Sequence, residues 1–214
     1  MPHAKFAKGA KGIVLLLCVL RVLCVSLIPA CSVLEKLLAA VQLAPEARGR
    51  FNAAIHQTPS PMSAEARLAE LKLELPAAPK PAHVYKPVVI AGNMCYVSGH
   101  GPLRVDKTMI TGVVGRDLNL EQGQAAARQV GLAILATVRH ELGSLDRVKR
   151  LVKTLGMVNT ATDFYDHPKV INGFSELMRE VFGDDAGVGA RSAVGMGPLP
   201  GNIAVEVECI FELR

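Results

Sequence analysis

The sequence predicts an α+β domain in which two long helices pack on a single mixed sheet. Three observations lead there. Regular elements follow one another as β-hairpin, β, α, β, α, β, β, which groups helices against one sheet. The order lacks the strict βαβ alternation of a dinucleotide-binding domain, and neither GxGxxG nor GxxxxGK[ST] occurs. The last strand alternates Ile203, Val205, Val207, Cys209 and Phe211 on one face, so that face must be covered.

The elements are justified in chain order. Ser63 is an N-cap for a short helix carrying Leu68 and Leu71, and the prolines 76, 79 and 81 force an extended connector after it. Two β-rich runs between Pro87 and Gly99 flank Gly92-Asn93, a two-residue hairpin signal. A third short strand is expected at Leu103–Val105 or Thr108–Thr111. Residues 120–142 form a helix: Asn119 and Gln122 make a capping box, Val130, Ile134 and Val138 form a stripe, and Gly143 stops it. Arg150–Asn159 reads as a strand. His167-Pro168 opens a second helix that runs through Val181 and ends at Phe182-Gly183. Ser192–Met196 and Ile203–Leu213 complete the sheet.

Charge and cysteines divide the 214 residues in two. Seven basic and two acidic groups lie in residues 1–61, which accounts for the whole net charge of +5. Residues 62–214 carry 17 groups of each sign and are neutral. A neutral body without tryptophan gives no bulk electrostatic case for nucleic acid. Residues 13–28 are predominantly apolar, with a single charge at Arg21, and follow a basic segment. That layout fits first a targeting segment or an anchor, secondly a start codon placed upstream of a native one at Met62, and last a packed extra helix. Residues 44–61 read as a linker, so the domain boundary falls near Met62. Cys95 and Cys209 lack metal-ligand spacing and read as small buried hydrophobes in strands; no metal site is expected.

Glu206 and Glu208 share the polar face of the last strand. They are either a solvated outer face or carboxylates held in a cleft, where burial sets a pKa for acid–base work. Arg191, flanked by small residues in Gly187–Gly195, either pairs with one of them or offers its planar fork to a substrate carboxylate.

The stretch Ala190-Arg-Ser-Ala-Val-Gly-Met-Gly-Pro-Leu199, followed by Val-Glu-Val-Glu208, resembles the C-terminal signature of the RidA/YjgF family. The fifteen-residue step from Arg191 to Glu206 fits. Gly92-Asn-Met-Cys-Tyr-Val-Ser-Gly-His-Gly-Pro102 resembles the family's N-terminal segment, and Tyr85 and Asn172 match its tyrosine and asparagine. The resemblance covers residues 76–213, with Ala193 where the family has cysteine and His100 where it has glutamine. It implies a chorismate-mutase-like fold assembled as a homotrimer with clefts between subunits. It also implies hydrolysis of reactive enamines and imines, such as 2-aminoacrylate, to keto acids and ammonia without a cofactor. Carried over by position, Arg191 holds the substrate carboxylate and Glu206 activates the attacking water. Tyr85, Gly99 and Asn172 line or support the cleft; His100 either stands at its mouth, where it could bias substrate choice, or, the favoured reading, is a plain loop histidine.

Two other functions compete: a regulatory trimer that binds a small carboxylate without turnover, and a ribonuclease or translation inhibitor. The expected partners are a small carboxylate-bearing imine, enamine or keto acid and two further copies of the chain, with no nucleic acid. A membrane enters only through residues 13–28. The body is expected to be soluble, in cytoplasm or mitochondrial matrix, with secretion or anchoring through the extension as the alternative.

Overall fold

The structure, a computed structural model, describes residues 62–80 and 83–214. The apolar segment 13–28, the linker 44–61 and the rest of the extension lie outside the described residues. Ser63 caps a seven-residue helix α1 (Ala64–Glu70) by accepting from the Ala66 amide. The hairpin follows as β1 (Val88–Ala91) and β2 (Met94–His100). Gly92 has a φ of 61°, which a two-residue hairpin turn asks of its first residue.

Helix α2 (Leu120–Leu142) has the expected bounds, the reciprocal Asn119–Gln122 capping box, and Gly143 in the left-handed conformation at φ 80°. Strand β3 runs Val148–Asn159, two residues earlier than expected. Register shifts between Val148 and Arg150 and between Leu151 and Lys153 interrupt its alternation, which hid its start. Helix α3 (His167–Ala186) has its break at the expected stop: Gly183, at φ 87°, leaves the helical conformation, and a short second helical segment follows it to Ala186. Strand β4 (Ala190–Met196) starts two residues early, and β5 (Val205–Leu213) two residues late.

The third short strand does not form. Leu103 and Met109 share one isolated bridge around a turn in which Asp106 accepts from the Thr108 amide and hydroxyl. Thr111 makes a second isolated bridge, to Ile203, so the segment is tied to the sheet by single bridges rather than by a continuous strand.

The sheet order is β1-β2-β5-β3-β4. Only β3 and β4 are parallel, joined through α3; every other pair is antiparallel. Chain-last β5 therefore lies in the middle. Its Val205, Val207, Cys209, Phe211 and Leu213 are buried on the helix side, as the alternation required. Phe174 and Phe211 are fully enclosed, each contributing roughly 1.5–3 kcal/mol by burial. Gly173 lets α3 approach α2, since a side chain there would run into the Gln124 carbonyl. Cys95 and Cys209 are buried on neighbouring strands, as expected. Among the described residues, no helix is long and apolar enough to cross a membrane.

The opposite face of the sheet carries Val89, Tyr96, Leu155, Met157, Val194 and Ile210, with Val89 48% and Tyr96 44% exposed. Nothing in the described chain covers it. A depression of about 510 Å³ there is lined by Tyr96, Ser98, Lys153, Leu155, Ser192 and Glu208.

Candidate functional site

Glu206 stands on the uncovered face, opposite Met157 of β3. A β-bulge explains its surroundings. Val97 pairs with Cys209 and His100 with Val207, so β2 spends three residues where β5 spends two. The extra residue lies at Ser98–Gly99. Because residue 99 has no side chain, the Glu206 carboxylate occupies the space that a β-carbon on residue 99 would need. Burial, and secondly the negative charge of Glu208, push the Glu206 carboxyl above its usual range. A half-buried carboxylate with a raised pKa is suited to taking a proton from water.

Arg191 stands elsewhere. It pairs with Thr154, which pairs with Cys209, so all three lie on the helix side of the sheet. Strand β4 is an edge, and from it the guanidinium reaches α3. Its Nη1 donates to Asn172 Oδ1 at 2.9 Å and to Ser175 Oγ at 3.0 Å. No carboxylate pairs with it among the described residues, so the expected alternative of an Arg191–glutamate salt bridge within one chain is not what the structure shows.

The two principal candidates thus do not meet within one chain. Glu206 is in register with Val194, three positions along β4 from Arg191 and two strands away. That is roughly 10 Å in each direction, with the sheet itself between them. Glu208 is closer in register, opposite Leu155 and Ser192, yet it too is on the other face.

The remaining expected residues divide. Asn172 holds the arginine directly. Gly99 adjoins Glu206. Tyr85 is 50% exposed before β1, and no hydrogen bond of its ring hydroxyl fixes it among the described residues. His100 is a correction: it neither stands at a cleft mouth nor lies in a loop, being the last residue of β2. It is 5% exposed beneath α2, with Nδ1 donating to the Ser98 carbonyl at 2.7 Å and Nε2 accepting from the Thr137 hydroxyl at 2.9 Å. The Ser98 carbonyl can only accept, which puts a proton on Nδ1, and burial depresses the ring's pKa, which favours the neutral form. Ser175 was not among the expected residues. Its one signal was the spacing Asn172-x-x-Ser175, which puts both on one helical face.

Comparison with known proteins converges on one group. Residues 65–212 match the family described as "YjgF/chorismate mutase-like, putative endoribonuclease". Protein TCP17 of Trypanosoma cruzi is 42% identical over 149 residues, covering 70% of this chain and 93% of its own. The crystal structure of Atu1372 from Agrobacterium tumefaciens, titled as of unknown function, is 40% identical with a TM-score of 0.63, covering 70% of this chain and 91% of its own. A crystal structure from Shewanella oneidensis described as "a putative endoribonuclease" is 31% identical with a TM-score of 0.68, covering 71% of this chain and all of its own.

Proposed function

Because this chain belongs to the YjgF/chorismate mutase-like family, we propose that it hydrolyses small carboxylate-bearing imines and enamines to 2-oxo acids and ammonia. The reaction takes place in clefts between the subunits of a homotrimer. One observation carries the reading. A guanidinium poised for an anion and a carboxylate with a raised pKa occupy opposite faces of one sheet, so a neighbouring copy must supply the second half of each site. The exposed apolar face bearing Val89, Tyr96, Leu155 and Ile210 is of the kind that a neighbour covers.

In this reading Arg191 of one subunit grips the substrate carboxylate. Glu206 of the next takes a proton from water as the oxygen attacks the imine carbon. That proton passes to nitrogen and gives a carbinolamine; Glu206 then takes the new hydroxyl's proton and returns it to nitrogen as the carbonyl forms and the carbon–nitrogen bond breaks, so ammonia leaves with the 2-oxo acid. An enamine first gains a proton on its β-carbon. Imines hydrolyse readily in water, so placing water, carboxylate and cation together supplies much of what a catalyst must add. Gly99 gives the Glu206 carboxylate room, and Tyr85 stands at the rim.

The test generates 2-imino acids in situ by oxidising amino acids and follows their loss with and without the full chain. Faster loss with stoichiometric 2-oxo acid and ammonia is expected, together with a trimeric mass by light scattering. Unaltered imine lifetimes, with tight binding of 2-oxo acids, would replace the enzyme with a binding protein. RNA cleavage that survives Arg191→Lys would replace both.

A further inference from the structure

Arg191 has five N–H donors, and their distribution is uneven. Both hydrogens of Nη1 are directed into α3, one to Asn172 Oδ1 at 2.9 Å and one to Ser175 Oγ at 3.0 Å. No hydrogen bond from Nε or Nη2 is formed among the described residues. In a guanidinium the Nε hydrogen points to the same side as Nη2, so these two atoms form one parallel fork. The end-on fork, Nη1 with Nη2, is already half consumed. What stays whole is the side-on edge.

We propose that Ser175 is a positioning residue that, with Asn172, locks the Arg191 guanidinium plane so that only its Nε–Nη2 edge is offered to a planar, two-oxygen carboxylate. The proposal rests on the carboxylate-binding role given to Arg191 above and adds how that role is made selective. Asn172 alone fixes one hydrogen and leaves the plane free to swing about that bond. A second acceptor one helical turn along α3 removes the swing. The two acceptors are three residues apart on one helix, a rigid element, and the arginine stands on a strand. The geometry selects carboxylates of 2-imino and 2-oxo acids over their neutral amides, which present one acceptor oxygen and a repelling NH₂.

The experiment uses the full chain and two probes, 2-oxobutyrate and 2-oxobutyramide, measured by calorimetry. Ser175→Ala is expected to weaken 2-oxobutyrate binding by about five- to twentyfold, with 2-oxobutyramide unchanged. Ser175→Thr, which restores the hydroxyl, is expected to recover affinity to within about twofold. In turnover the Ala variant should raise KM and largely keep kcat. Nitrogen NMR of the arginine side chain gives a reading independent of any ligand: slow Nη1 exchange and rotation in wild type, fast in Ser175→Ala. Equal 2-oxobutyrate affinity in wild type and Ser175→Ala overturns the proposal. If wild type binds neither probe, the carboxylate reading of Arg191 itself falls. The NMR comparison then still judges the lock, and identical Nη1 behaviour in both proteins overturns it.

Discussion

The carboxylate of Glu206 rests in the space that a side chain on residue 99 would fill. That makes Gly99→Ala a selective probe. The atom in the way is the end of a flexible side chain, so the fold adapts and unfolding free energy should change by about 1 kcal/mol or less. The displaced carboxylate no longer faces the attacking water, and turnover should fall by about a hundredfold or more. Thermal denaturation and imine hydrolysis measured on the same preparation check this. An active Gly99→Ala protein would remove Glu206 from the reaction.

Arg191 and Glu206 on opposite faces make a second prediction, about mixed assemblies. Arg191→Lys and Glu206→Gln chains, each inactive alone, should regain activity when co-expressed. Random assortment leaves about a quarter of clefts with both native groups if each cleft draws them from different chains. Activity of the mixture near zero would mean that one chain supplies both.

The raised pKa of Glu206 has a direction in both rate and stability. As the base it must be ionised, so the acid limb of kcat/KM should lie above the ordinary glutamate value of 4.5. Glu208→Gln removes a charge that raises it, and the limb should move to lower pH. For stability the folded state holds this proton more tightly than the unfolded chain. The cost of ionising it is therefore absent below 4.5 and grows as pH rises through the raised value. Glu206→Gln should be more stable than wild type at neutral pH and equal to it in acid. Urea titrations at several pH values decide it, and a constant difference would contradict the assignment.

His100 titrates with the opposite sense. Its folded pKa lies below the usual 6.5, so stability is complete above 6.5 and declines as pH falls toward the depressed value. His100→Gln should flatten that acid decline. His100→Leu should cost about 1–3 kcal/mol at neutral pH by leaving the Ser98 carbonyl and Thr137 hydroxyl without their partner, and Thr137→Val in that background should recover part of the loss.

His100 also shows where sequence reading stops. Counting by two from buried Val97 sends residue 100 to the uncovered face, beside the glutamates. The bulge at Ser98–Gly99 adds one residue and turns it under α2. No pattern of apolar and polar residues announces that insertion. Where chemistry is local, the sequence suffices: Asn119, Gln122 and Gly143 mark both ends of α2, and the alternation of β5 fixes which side holds Glu206. Arg191 was legible as a candidate, but its face was not. Strand β4 is exposed along most of its length, so it has no buried alternation to read. Only pairing with β3 settles its orientation.

The central place of β5 bears on how the chain comes off the ribosome. The β1–β2 hairpin and the β3–α3–β4 unit are both synthesised before the strand that joins them, and β2 has no other neighbour toward β3. Until β5 emerges, two half-sheets with apolar flanks must coexist without a shared ladder. That interval is when a nascent chain most needs protection from pairing with the wrong partner. A lesion in β5 such as Phe211→Asp should accordingly appear first as low yield and chaperone association, before any loss of catalysis can be measured.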